Sequence, residues 1–109
     1  MRVILDEMLP VDTADLLPDH DVMTARAAGY AGLTNGELIR RAVADGYDVL
    51  VTADLNLPAQ QNIRASGIAV ILVRGSRLAD INPQANDIRA AIANATPGAV
   101  TRIGSPTGP

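Results

Sequence analysis

The sequence predicts an α/β fold, with a mainly parallel central sheet of about five strands flanked by helices as a three-layer sandwich in one domain. Three observations predict it. Residues 49–51 (Val-Leu-Val) and 68–73 (Ile-Ala-Val-Ile-Leu-Val) are aliphatic without alternation, the pattern of strands buried on both faces. Strand-like and helix-like segments alternate along the whole chain, and such alternation places crossover helices on the faces of a parallel sheet. The 109 residues suffice for one hydrophobic core and carry neither an internal repeat nor a linker.

The elements follow in order. Residues 2–5 are a short β-like run closed by Asp6 and Glu7. Residues 8–17 have Pro10 near the start, Asp12 and Asp15 in the first turns, and Val11, Ala14, Leu16 and Leu17 as an apolar set. That order predicts a short helix, ended by Pro18. Residues 20–25, with Val22 and Met23, read as a weaker second strand. Residues 26–35 are interrupted by Gly29 and Gly32 and read as a loop or irregular helix. Thr34-x-x-Glu37 ahead of Leu38, Ile39, Ala42 and Val43 is a capping-box signature opening an amphipathic helix, and Gly46 is placed to end it. The third strand follows at residues 49–51. Residues 58–66 are helix-like with Gly67 at their end, and residues 68–73 form the fourth strand. Residues 81–95, with Ile88, Ala91 and Ile92, form the last helix, and residues 100–103 a short edge strand. The Gly/Pro/Ser/Thr stretch at 104–109 is expected to be a disordered tail. The first, third and fourth strands are the continuously aliphatic ones and are expected at the centre of the sheet.

Composition narrows the chemistry. Apolar content of 48% against 19% charged residues is that of a globular chain. There is no Cys, which excludes disulfides, thiolate metal sites and cysteine nucleophiles and agrees with a cytoplasmic protein. No apolar run is long enough to span a membrane, and the N-terminus reaches Asp6 and Glu7 too soon for a signal peptide. Every basic residue is Arg, so lysine chemistry is excluded. A net charge of −3 argues against broad phosphate contact with nucleic acid. The absence of Phe and Trp, with two Tyr, argues against binding by base stacking.

Asp6 and Glu7 end the first strand and Asp54 follows the third. Acids therefore gather at the carboxyl edge of the sheet, where ligand sites of open α/β sheets collect. If the two strands are neighbours, Asp6 and Asp54 converge. Carboxylates held together repel and raise each other's pKa, which a shared cation relieves. Oxygen ligands without Cys suit Mg²⁺ or Mn²⁺ rather than Zn²⁺. Each residue also has a plain structural reading. Asp6 and Asp54 can be loop-starting or capping acids, Glu37 the acid of the capping box, and Asn56 an Asx-turn residue before Pro58.

Three blocks carry a resemblance: LDEMLP at 5–10, NGELIRRA at 35–42 and TADLNLP at 52–58. In this order and spacing they resemble the PIN-like superfamily of metal-dependent ribonucleases. More closely, they are similar to a small bacterial PIN-like family regarded as toxin components of toxin–antitoxin pairs. The resemblance covers residues 1–103 and implies a PIN-like domain there. It implies Asp6, Glu37 and Asp54 as catalytic acids and metal ligands, with Asn56 as a fourth, neutral ligand. It further implies one or two Mg²⁺ or Mn²⁺ ions directing water onto an RNA phosphodiester. The implied partners are RNA and a cognate antitoxin protein, with a homodimer as a further option and no membrane. Asn35 and Asn56 stand where the close family often has acids, and Met8 where a polar residue is usual. Each Asn keeps an oxygen but removes a negative charge.

The candidate substrate contacts are Asn35, Thr52, Arg40 and Arg74, and Arg26, Arg41 and Arg77 also fall where they can reach phosphates. His20 is expected to be an exposed loop residue at the amino edge, and Tyr30 and Leu33 are candidates for a partner-facing surface. An acid pair after the first strand and an Asp after the third also look like a receiver domain, with Asp54 as phosphoacceptor. A receiver uses a Ser or Thr after its fourth strand and a Lys after its fifth. Here Arg74 and Gly75 follow the fourth strand and there is no Lys. The alternative to a nuclease is thus a non-catalytic PIN-like or receiver-like binding or signalling domain.

Overall fold

The computed structural model describes residues 1–103, so the tail expected at 104–109 lies outside the described residues. Strands β1 (Arg2–Leu5), β2 (Asp21–Thr24), β3 (Val49–Thr52), β4 (Ala69–Leu72) and β5 (Val100–Arg102) form one sheet in the order β2-β1-β3-β4-β5. Every pairing is parallel, so the sheet is wholly rather than mainly parallel. The three continuously aliphatic strands lie in the middle, as expected. All four residues of β3 and of β4 are buried, whereas edge strand β2 alternates exposed with half-buried residues.

Alternate side chains of each strand enter opposite layers because the strand period is two residues. On one face Val3, Leu5, Val49, Val51 and Ile71 meet Leu9, Leu17, Ile81, Ile88 and Ile92. On the other, Ile4, Leu50, Val70 and Leu72 meet Leu38, Ile39, Ala42, Leu57 and Ile63. The five helices are α1 (Asn35–Ala44), α2 (Leu57–Gln60), α3 (Ile63–Ser66), α4 (Leu78–Ile81) and α5 (Ala85–Ala93). The first three cover the second face, and α4 and α5 cover the first.

Three helices differ from expectation, each for a local reason. The first crossover is a 3₁₀ helix, Val11–Leu16, not an α-helix. Only a few residues separate Pro10 from Pro18, and 3₁₀ geometry is the usual form of such short pieces. The segment at 58–66 is two helices, because Gln61 is extended. Asn62 then restarts the chain by accepting the Ala65 N–H at 3.1 Å. The last helix begins early, at Leu78, and passes through a 3₁₀ turn at Asn82–Gln84. Pro83 lacks the N–H that a continuous α-helix needs there.

Tyr30 is core rather than partner-facing, with 2% of its surface exposed. Its ring meets Tyr47 edge-on at 6.3 Å between centroids, the Arg41 guanidinium lies 5.5 Å above it, and its hydroxyl donates to the Asp45 carboxylate. These contacts pin the glycine-broken segment onto α1. His20 is half-buried rather than exposed, and its Nδ1 is shielded from solvent with no hydrogen-bond partner. Among the described residues no helix is long and apolar enough to cross a membrane.

Candidate functional site

The order of strands reverses direction once, between β1 and β3, which are direct neighbours. A crevice opens beyond the carboxyl ends at such a switch point. The register pairs Val3 with Val49, Ile4 with Leu50 and Leu5 with Val51. One further bond continues the ladder, from the Asp6 N–H to the Val51 carbonyl at 3.0 Å. That bond sets Asp6 beside Thr52.

Thr52 is fully buried, so its hydroxyl must find partners within the protein. It donates to Asp6 Oδ2 at 2.6 Å and accepts the Asp54 N–H at 3.1 Å. One hydroxyl thereby links the two acids that the sequence separates widely. Asp54 is held further. Its Oδ1 accepts the Asn56 N–H at 3.0 Å, and its Oδ2 accepts Asn35 Nδ2 at 2.8 Å. The first of these is an Asx-turn made by the Asp54 side chain, so the turn expected at Asn56 is built two residues earlier.

Asn35 reaches Asp54 because it is the first residue of α1, whose N-cap is Thr34. The following residue, Gly36, lets the helix start come close to the α2–α3 junction. A Cβ at Gly36 would lie 3.1 Å from Gln61 Oε1. The site thus joins β1, β3 and, through Asn35, the amino end of α1.

Glu37 takes a different position. It is exposed, and its Oε1 accepts the Thr34 hydroxyl at 2.9 Å while its N–H donates to Thr34 Oγ1 at 3.3 Å. Its carboxylate therefore serves the helix start. Among the described residues no three His, Cys, Asp or Glu side chains gather closely enough to hold an ion. The acids brought together are the pair Asp6 and Asp54. Glu7 lines a small recess with Asp6, its Oε1 accepting the Gly32 N–H at 2.9 Å. Asn56 is exposed at the rim.

Comparison with protein-family models, with curated proteins and with solved structures returns no match.

The substrate candidates also separate. Thr52 spends its hydroxyl on the acid pair and so is a positioning residue. Arg40 lines a recess of about 240 Å³ with Ile39, Val43 and Ser66, between α1 and α3 and without Asp6 or Asp54. Arg74 is exposed beyond β4, and Gln84 holds its backbone, Oε1 accepting its N–H at 3.1 Å and Nε2 donating to its carbonyl at 2.7 Å. Gly75 permits this bend. Its φ is +89°, and a Cβ there would lie 2.3 Å from Asp80 Cβ.

The small recess beside Asp6 is about 90 Å³, lined by Asp6, Glu7, Thr24 and Arg26 among others and not by Asp54. Arg26 stood in the sequence as one arginine among several, and Thr24 carried no signal at all. Both follow from β2 lying next to β1, which no local pattern encodes. A larger recess of about 370 Å³ lies between α5 and β5 and contains neither Asp6 nor Asp54.

The donor set beside Thr52 is made of oxygens, and Asp6 Oδ1 has no hydrogen-bond partner among the described residues. Both Asp54 oxygens already accept hydrogen bonds, so an ion here would rest on the free Asp6 oxygen, share the Asp54 oxygens and be completed by water, as Mg²⁺ commonly is.

Proposed function

We propose that this chain is a Mg²⁺- or Mn²⁺-dependent ribonuclease of the PIN-like type, the toxin of a toxin–antitoxin pair. The observation that supports it most is the Thr52 hydroxyl joining Asp6 and Asp54 at the switch point of the sheet. Asp6 and Asp54 would hold the ion, with the Asn56 oxygen at the rim, while Glu37, in the first turn of α1, would have to leave Thr34 to join them. When bound, the ion supplies Lewis-acid stabilisation of a phosphoryl oxygen and a water of lowered pKa. Thr52 and Asn35 keep the two carboxylates in place, so that little reorganisation is needed when charge develops on the phosphate. The reaction is hydrolysis: water oxygen bonds to phosphorus, one ribose P–O bond breaks, and the leaving oxygen takes a proton. A basic antitoxin suits a chain of net charge −3.

The test is RNA cleavage during Mn²⁺ titration, alongside calorimetric Mn²⁺ binding. The expected result is Mn²⁺-dependent cleavage, reduced on the order of 100-fold or more in Asp54→Asn, as for loss of one preorganised electrostatic group. A chain that neither binds Mn²⁺ nor cuts RNA, with Asp54→Asn indistinguishable, overturns it.

A second reading is favoured by one observation. Acids beyond both β1 and β3 of a β2-β1-β3-β4-β5 sheet are also what a receiver-like phosphoacceptor site needs. The chain has no Lys to complete such a site. Incubation with acetyl phosphate separates the two, since only the receiver reading expects a phosphoryl mass increment that Asp54→Asn abolishes.

A further inference from the structure

We infer that Arg26 and Arg74 are the two phosphate anchors of a single RNA strand that crosses the carboxyl edge of the sheet at right angles to the β-strands. The inference rests on the ribonuclease reading of the acid pair and adds how the substrate lies on it. Arg26 stands two residues beyond β2, Asp6 one beyond β1, Asp54 two beyond β3 and Arg74 two beyond β4. Those four strands are consecutive in the sheet. Neighbouring strand ends are roughly 4.8 Å apart, so the row covers roughly 14 Å. Its charges run plus, minus, minus, plus. A phosphodiester held over the central acids would present the next phosphate on either side to an arginine.

Arg26 and Arg74 are set apart by standing beyond the two strands that flank the acid-bearing ones, since Arg40, Arg64 and Arg102 are likewise exposed and free of ion pairs among the described residues. Arg26 and Arg74 are exposed, and neither forms an ion pair among the described residues. By contrast Arg2 pairs with Asp21, Arg77 pairs with Asp80, and Arg89 donates to the Leu16 carbonyl. Arg26 lines the same small recess as Asp6. Arg74 stands on a backbone clamped on both sides by the Gln84 amide. The guanidinium is the side chain suited to forked contact with phosphate oxygens. A row of four strand ends suits one strand rather than a duplex, which a chain of net charge −3 has too little basic surface to cover. With no Phe or Trp to stack on, recognition rests on the backbone and is tolerant of sequence.

The experiment measures binding of a fluorescein-labelled single-stranded oligouridine across a salt series in Mn²⁺, with every variant built on Asp54→Asn to suppress cleavage. Arg26→Ala and Arg74→Ala are each expected to weaken binding several-fold. Each should also lower the slope of log K against log salt by about 0.7, the single-strand value per phosphate contact, and the double variant by about twice that. Arg64→Ala is the control. Arg64 is exposed on α3 and packs against Gly98 at the amino edge, and its loss changes net charge equally. Circular dichroism melts verify that each variant folds. Arg26→Ala no weaker than Arg64→Ala, or a duplex RNA bound as well as the single strand through the same arginines, overturns the inference. Cleavage by the unmutated chain in Mn²⁺ is scored separately. Cleavage without an arginine effect sinks the track alone, an arginine effect without cleavage sinks the hydrolysis reading alone, and neither result sinks both.

Discussion

At the scale of single residues, Thr52 carries the most consequence for its size. It is fully buried, and its hydroxyl both donates to Asp6 and accepts from Asp54. Thr52→Val keeps the volume and removes both bonds. The expected cost is about 1–3 kcal/mol, because the Asp6 carboxylate and the Asp54 N–H each lose a partner. Chemical denaturation measures it, and Thr52→Ser should recover most of the loss. If the hydroxyl positions the acids, Thr52→Val also weakens Mn²⁺ binding more than Thr52→Ser does. Glu37 teaches the opposite lesson. Capping box and acidic centre compete for one side chain, and Glu37 stays with Thr34: its N–H makes the cap bond, while its carboxylate accepts the Thr34 hydroxyl rather than the Thr34 N–H of a full capping box.

At the scale of elements, the docking of α1 decides what the carboxyl edge can bind. Asn35, the first residue of α1, donates to Asp54 Oδ2 at 2.8 Å. Asn35→Asp exchanges that donor for a second carboxylate facing the first. Without metal the expected outcome is a loss of about 1–3 kcal/mol from the broken bond, added to repulsion that raises the pKa of the pair. With Mn²⁺ present the extra charge should be compensated, so thermal stability rises more steeply with Mn²⁺ in Asn35→Asp than in the unmutated chain. Thermal melts across a Mn²⁺ series check this, and equal metal dependence in both chains would contradict it. The same scale explains the broken helices. The periodicity at 58–66 and 81–95 is helical, but Gln61 and Pro83 interrupt the backbone hydrogen bonds.

At the scale of the whole molecule, stability rests on an almost wholly aliphatic core in two clusters, one on each side of the sheet. The exceptions are Tyr47 and, more deeply buried, Tyr30. The Tyr30 phenol is pushed from 10.0 up to about 12, first by burial and then by its hydrogen bond to Asp45. A folded pKa above the unfolded one gives a contribution present in full below pH 10 and lost as pH rises through about 12. Denaturation midpoints between pH 9 and 12 should fall more steeply for the unmutated chain than for Tyr30→Phe, which lacks the titrating group. Below that window Tyr30→Phe should be the less stable by about 1.5–3 kcal/mol, the worth of a hydrogen bond to a charged acceptor.

The sequence by itself determined the α/β class, the central place of β1, β3 and β4, and the presence of Asp6 and Asp54 at strand ends. These follow from local signals: unbroken aliphatic runs, helical periodicity, and acids where such runs stop. It also determined where α1 begins, because Thr34 and Glu37 satisfy that helix end within a few residues. Only the tertiary structure decided that β1 lies beside β3, with Asp6 level with Thr52. It alone placed Asn35 on Asp54, and Glu37 on Thr34 rather than with the acid pair. It alone put Tyr30 in the core and Arg26 next to Asp6. The physical reason is common to all of these. Strand order and helix docking are chosen by packing two apolar faces at once, a global condition that no stretch of the chain expresses alone. A carboxylate's partner depends on which elements that packing brings within hydrogen-bond reach.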